Sequence, residues 1–392
     1  MDFRFTEAEE AFRQQVRGFV AQELPPDWQV RNDREGESNE YFAFSQAFSR
    51  KLGDRGWLTM AWPEAYGGRG ASPLTQLIYN EEMAYAGAPL GFGFGVNLVG
   101  PTLMVWGNED QKQRHLAPIA RSEAFWCQGF SEPGAGSDLA ALTTRAQRDG
   151  DVYVVNGLKV WSSYAHIARW GILLARTDPL ATRHAGISYF VCPMDAPGIE
   201  IRPLIDMTGE HAFNEVSFSD VRIPADHLVG AEHAGWELAK VTLGNERASL
   251  SGEGVLWGMG PTAEDLVELV RAGGGARVAG LRERLVSVWT ESQILRVLRL
   301  RTVSAVLAGK APGPEASVRK AIADGHGQHA MNLSRDLAGP FGMVQESGPD
   351  STWSRGFLYS PALTIGGGTA EVQRNIVAEK VLGLPRDPSS GP

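Results

Sequence analysis

Cysteine is nearly absent: the 392 residues contain only Cys127 and Cys192, far apart and in no CxxC pair. A disulfide framework and a thiolate metal site are thereby disfavoured, and a reducing compartment is expected. Long apolar runs are missing too. No stretch approaches the ~18 uncharged apolar residues that a membrane span needs, and the opening MDFRFTEAEEAFRQQ mixes charges from its second residue. A cytoplasmic protein without membrane partners is expected. Positive charge is in deficit, with 37 Lys plus Arg against 46 Asp plus Glu and a net charge of −9. Such a field repels phosphate backbones, which removes nucleic acid from the expected partners. No GxSxG, P-loop or HExxH occurs, and no GxGxxG follows a strand to open a helix. The chemistries those motifs carry have no vehicle here.

What is present is an ordinary globular composition, 43% hydrophobic and 21% charged. At ~150 residues per domain the chain is long enough for two or three domains. Glycine is enriched: there are 46, where an average usage of ~7% would give about 27. Much of it sits in the short loops GFGFG, EPGAGSD and IGGGT, where a missing Cβ lets backbone approach a ligand.

Period separates three regions. Thr6 and Glu9 have capping-box spacing, and Phe12, Val16, Phe19 and Val20 follow at helical intervals. Further helical stretches at 41–52, 73–86 and 97–107 make 1–120 an N-terminal helical domain. The segment DVYVVNGLKVW then places β-branched and aromatic residues on both sides of Asn156-Gly157, a hairpin-turn signal. WGILLART, GISYFVCP, GIEIRPL and NEVSFSDVRIP continue as short strands, so 121–233 reads as a central β domain. Helical period returns at 236–250, 281–307, 316–337 and 369–382, giving a C-terminal helical domain over 234–384 and a short tail at 385–392.

Four segments carry candidate chemistry, each beside a plainer reading. FSEPGAGSD, from Phe130 to Asp138, offers backbone N–H groups and the hydroxyls of Ser131 and Ser137 to a ring edge or a phosphate; a tight surface loop has the same composition. Trp161-Ser162-Ser163 can stack on a planar cofactor and bond its ring nitrogen, or can be a core tryptophan beside a turn. IGGGTAEVQR runs three glycines into a helix start at Thr369, which suits an anionic or polarised oxygen, or is simply an N-cap after a flexible loop. Glu246 lies three residues after Leu243, seven after Ala239 and four before Leu250, on the apolar stripe of its helix. Burial there would raise its pKa toward that of a general base, unless the group serves a buried salt bridge. His326 and His329 read as a solvated i, i+3 pair without a third metal ligand.

Taken together and in order, these segments resemble the acyl-CoA dehydrogenase family, from 5 to 384. FSEPGAGSDLAA resembles the family's first signature and NGLKVWSSYAHIARWGILLART its flavin-stacking segment. FNEVSFSDVRIP is similar to the strand leading back to the helices, and GGGTAEVQRNIVAEKVLGLP to the C-terminal helix beside the active site. The resemblance implies an N-terminal helical domain, a central β barrel, a C-terminal four-helix-bundle-like domain and a homotetramer or heterotetramer with bound FAD. By position, Trp161 stacks near the flavin, Ser163 bonds its N5 edge and Ser131 its pyrimidine edge, with Phe130, Gly136 and Ser137 in the same loop. Arg282 and Gln293 resemble the pair that reaches a neighbouring subunit's FAD, while Thr369 and Glu371 open the C-terminal helix on the cofactor side.

Two departures stand out. Many members carry the catalytic Glu just before the Gly-Thr pair, where this chain has Gly367. In isovaleryl-CoA and long-chain relatives the base comes instead from an earlier Glu-Arg pair, which Glu246-Arg247 matches. Asp336 and Gly339-Pro340 replace the usual Gln and Gly-Gly at the cross-subunit FAD contact. The resemblance therefore implies FAD-dependent α,β-dehydrogenation of an acyl-CoA thioester to the 2-enoyl-CoA. Glu246 would be the base, Arg247 its support, the Gly367 backbone N–H a donor to the thioester oxygen, and an electron-transfer flavoprotein the acceptor. The vacancy at Gly367 leads us to expect branched or bulky acyl groups. A partner-dependent or non-catalytic subunit, and a flavin oxidase, are the alternative readings.

Overall fold

The computed structural model describes residues 5–26, 28, 39–89, 93–250, 261–272, 280–310, 313–340 and 349–386. Its helices are α1 Glu7–Glu23, α2 Asn39–Asp54, α3 Pro73–Tyr85, α4 Gly100–Trp106, α5 Glu109–Ala120, α6 Gly235–Leu250, α7 Ala263–Ala272, α8 Arg282–Leu307, α9 Glu315–Ala338, α10 Pro349–Tyr359 and α11 Ala370–Ile376. Strands occupy the middle of the chain: β1 Trp126–Gly129, β2 Arg145–Asp149, β3 Val152–Lys159, β4 Trp170–Arg176, β5 Ile187–Pro193, β6 Ile199–Leu204, β7 Phe213–Pro224 and β8 Leu228–Val229. Two compact units result: Met1–Gly36, Ser72–Ala88 and Arg247–Pro392 form a helical unit, while Glu37–Ala71 and Pro89–Glu246 form a unit built on the sheet.

In the helical unit the first helix begins as its sequence dictates. The Thr6 hydroxyl accepts from the Glu9 N–H at 3.3 Å, and the Glu9 carboxylate accepts from the Thr6 N–H at 2.7 Å, closing the capping box. Val16 and Phe19 turn inward, and Arg17 holds Glu82 of α3 through two bonds of 2.7 and 3.0 Å. Ala263, Leu266, Val288, Ala330 and Leu333 form a core shared by α7, α8 and α9. The 26-residue α8 is apolar on more than one face: Val288 and Leu295 are buried, but Val286, Val297, Leu300 and Leu307 are exposed.

The sheet runs β6-β7-β3-β2-β4-β5-β8, with β1 joined in parallel to β4 as a branch. Alternation along β4 sends Ile172 and Leu174 into one core and Leu173 and Ala175 into another. The sheet is therefore buried on both faces at its centre, which explains the nearly continuous apolar run of WGILLART. Leu238 and Ala239 of α6 close the first of these cores.

Two expectations are corrected. Asn156-Gly157 is not a hairpin turn: β3 runs through it, and the pairing with β7 shifts there by a bulge. The β2–β3 turn is at Gly150, whose φ is +61°. An Asn-Gly pair serves a bulge as well as a turn because the Asn amide can substitute for ladder bonds. Here the Asn156 amide donates to Asp220 at 2.9 Å and accepts from the Asp220 N–H at 3.0 Å. The expected helix at 369–382 is also not uniform, since α11 gives way to a π-helical segment, Val377–Val381.

Candidate active site

The loop after β1 is fixed residue by residue. Lys159, at the end of β3, donates from its ammonium to the Phe130 carbonyl at 2.9 Å, and the Val160 N–H donates to the Ser131 carbonyl at 2.9 Å. Reciprocal bonds of 3.0 Å between Glu132 and Ala135 close the turn over Pro133-Gly134. A Cβ built on Gly134 or Gly136 would meet nothing within 4 Å, so this side of the loop is open. Ser137 is exposed and Ser131 half-buried.

Trp161 follows directly from the strand that holds this loop. Its φ is +59° and its exposure 60%, with one ring contact, an edge-on approach to Phe213 at 5.6 Å. A bulky side chain on a left-handed backbone costs roughly 1–3 kcal/mol and persists where surroundings impose it. They do so here, through paired bonds between Ser162 and Asn214 of 3.0 and 3.1 Å. Ser163 is half-buried beside it. An uncovered indole, an open glycine loop and nearby hydroxyls fit the ring system of a flavin.

Glu246 belongs to the same unit. Leu238, Ala239 and Thr242 are buried along one stripe of α6, and Glu246 continues that stripe, half-buried. Gln128 of β1 donates to its carboxylate at 3.3 Å, two residues before Phe130. Nothing in the sequence marked Gln128, because its role depends on β1 meeting α6. The Arg247 side chain lies outside the described residues.

The helical unit holds the second loop. Gly367 and Gly368 have φ of +63° and +89°, and Gln373 donates to both of their carbonyls at 3.1 Å. Lys320, fully buried on α9, donates to Asp324 at 2.6 Å, to the Gly368 carbonyl at 3.3 Å and to the Leu363 carbonyl at 3.4 Å. The Gly367 N–H donates no hydrogen bond among the described residues. Thr369 is the N-cap of α11, accepting from the Val372 N–H at 3.3 Å. Glu371 is exposed, its carboxyl held below the usual range by its own backbone N–H and the Thr369 hydroxyl.

Arg282 opens α8 as an exposed residue and Gln293 lies half-buried further along. Asp336 pairs with Arg284, a partner the sequence did not suggest, and Gly339 has φ +59°. The expected solvated histidine pair is corrected: His326 is buried, and both rings bond to Glu291 at 2.9 to 3.2 Å. Burial also lowers the His326 pKa, an effect Glu291 opposes. Among the described residues no group of three His, Cys, Asp or Glu is placed to hold a metal, and no helix is long and apolar enough to cross a membrane.

Comparison with known proteins gives consecutive matches. The acyl-CoA dehydrogenase N-terminal, middle and C-terminal domain models match residues 6–123, 127–221 and 233–382. The chain is 41% identical over 382 residues to acyl-CoA dehydrogenase IpdE1 of Mycobacterium tuberculosis, covering 96% of this chain and 98% of the relative. Among solved structures, "Tcur3481-Tcur3483 steroid ACAD" matches with a TM-score of 0.87 at 33% identity, covering 99% of this chain and 100% of that one. The ChsE4-ChsE5 complex from Mycobacterium tuberculosis matches with a TM-score of 0.84 at 33% identity, with the same coverage.

Proposed function

This chain belongs to the acyl-CoA dehydrogenase family of oxidoreductases, and we propose that it binds FAD and converts a bulky, polycyclic acyl-CoA to its 2-enoyl-CoA. The observation that carries this reading is Glu246, a half-buried carboxylate on the inward stripe of α6, bonded by Gln128 beside the loop that begins at Phe130. Glu246 takes the α-proton onto a carboxylate oxygen. The Gly367 N–H donates to the thioester oxygen, which acidifies the α-carbon. FAD supplies the acceptor for the β-hydrogen and its electron pair. Phe130, Ser131, Gly136, Ser137, Trp161 and Ser163 would hold it in the sheet unit; Thr369 and Glu371 would face a cofactor at the start of α11, and Arg282, Gln293, Asp336 and Gly339 would reach the FAD of a neighbouring subunit.

Two points support a bulky substrate: Gly367 has no side chain where many relatives carry their base, and one structural relative is described as a steroid enzyme. The exposed apolar side chains of α8 support assembly with a second chain, either another copy or a related subunit, since two structural relatives are two-component proteins. An electron-transfer flavoprotein is the acceptor that the family reading supplies.

Glu246→Gln tests the base directly. It should keep FAD and thioester affinity while slowing flavin reduction by about 10² or more. Flavin reduction at the parental rate would remove Glu246 from the mechanism. A panel of acyl-CoA esters, read by flavin bleaching, tests the substrate: exclusive use of unbranched chains would overturn the bulky-acyl assignment.

A further inference from the structure

We propose that the buried Lys159–Glu132 pair is a positioning device that fixes the loop carrying Ser131 against Trp161 and thereby sets the flavin site. The inference rests on the flavoprotein reading above. Both side chains are buried, Lys159 to 0% and Glu132 to 5% exposure. Glu132 is part of the loop itself, and each carboxylate oxygen accepts two bonds. One takes the Thr144 N–H at 2.9 Å and the Lys159 ammonium at 2.8 Å; the other takes the Thr143 N–H and hydroxyl, both at 2.7 Å.

Lys159 also reaches the Phe130 carbonyl at 2.9 Å, and its neighbour Val160 reaches the Ser131 carbonyl at 2.9 Å. Three successive loop residues are thus gripped by Lys159, the last residue of β3, and by Val160 just beyond it, and the next residue is Trp161. The loop cannot shift against the main chain that leads into Trp161 without breaking a buried ion pair.

Stability alone does not call for charges here. A well-packed apolar pair of similar volume is commonly as stable as a buried ion pair or more so. What an apolar pair cannot do is hold a main-chain carbonyl at a set distance and direction. The ammonium does that for Phe130, and the carboxylate locks the ammonium in place.

The test compares the parent protein with Lys159→Met, Glu132→Gln and the double variant, measuring FAD dissociation constant, flavin absorption band shape and melting temperature. Lys159→Met should weaken FAD binding by about tenfold or more, the scale of one lost charge-assisted hydrogen bond. The double variant removes the unpaired buried charge and should regain most of the lost melting temperature. It should nevertheless retain the weakened FAD binding and an altered absorption band, because the Phe130 carbonyl is still not held. Recovery of FAD affinity in step with melting temperature would overturn the inference in favour of a purely structural pair. So would a double variant that fails to fold, since the charges would then be required by the fold itself. A parent protein that takes up no FAD would instead overturn the flavin reading, and this inference with it.

Discussion

Lys159 in the sheet unit and Lys320 in the helical unit both have zero exposure, and both place an ammonium on main-chain carbonyls of a glycine-bearing loop. Their counter-ions differ in location. Glu132 lies in the loop that Lys159 holds, whereas Asp324 lies one helical turn along α9 from Lys320 and is not part of the loop at 363–369. In the first case loop and ion pair are one object. In the second the ammonium holds the loop through its carbonyls, a task Gln373 shares, while Gln328 donates to the Thr364 hydroxyl. The titration behaviour differs accordingly. Burial pushes the Glu132 pKa up, but the Lys159 charge and the bonds from Lys159, Thr144 and Thr143 outweigh it and bring the group down to about 2. Burial lowers Lys159 to about 8 against the pull of Glu132. For Asp324 burial prevails over Lys320, and its pKa is raised. A loop that carries its own counter-ion is fixed more tightly, and has more to lose, than one held by Lys320, Gln373 and Gln328 with the counter-ion elsewhere.

Removing each ammonium tests that difference most severely. Lys159→Met leaves Glu132 buried without its cation, and should cost about 3–5 kcal/mol. Lys320→Met should cost about 1–3 kcal/mol, because Asp324 takes up a proton readily and Gln373 still holds both glycine carbonyls. Urea unfolding of the two variants measures the order. Equal losses, or a larger one for Lys320→Met, would mean that the location of the carboxylate is immaterial.

The surroundings of the two loops differ in the same sense. A Cβ on Gly157 would lie 2.4 Å from the Thr144 hydroxyl and 2.7 Å from its Cα, and Thr144 is where Glu132 is anchored. Main chain there cannot retreat, so Gly157→Ala should cost about 3 kcal/mol. A Cβ on Gly368 would lie 2.6 Å from the Gln373 amide nitrogen, the far end of a flexible side chain, and the main penalty is its φ of +89°. Gly368→Ala should therefore cost about 1–2 kcal/mol. Thermal unfolding distinguishes them: a smaller loss at Gly157 than at Gly368 would mean that the Thr143-Thr144 anchor yields.

Short-range signals were legible in the sequence. The Thr6–Glu9 box needs only four residues, and α6, α8 and α9 begin and end within about one residue of where the helical period places them. The inward stripe of α6 already pointed to Glu246. The clamps were not legible, since Lys159 and Glu132 are 27 residues apart and Lys320 and Gly368 are 48 apart. A lysine read alone is a surface residue, and only the fold reveals these two as buried donors. Asn156-Gly157 failed for a different reason: the dipeptide specifies a local conformation, and the partner strand decides whether it becomes a turn or a bulge.

Acid should separate the two loops with the smallest effect and opposite signs. A carboxylate whose pKa is depressed on folding contributes stability that is present above its unfolded pKa and lost as pH falls toward the folded one. For Glu132 that window runs from its ordinary 4.5 down to about 2. The stability advantage of the parent over Glu132→Gln should thus shrink by about 1 kcal/mol between pH 6 and pH 4. Asp324 is raised instead, so the folded protein binds its proton first as pH falls. Over the same interval the parent should gain on Asp324→Asn. Taking differences between parent and variant cancels the other titrating groups, so unfolding curves at the two pH values isolate each carboxylate. If both differences moved in the same direction, the contrast between a loop with its own counter-ion and a loop without one would have no electrostatic basis.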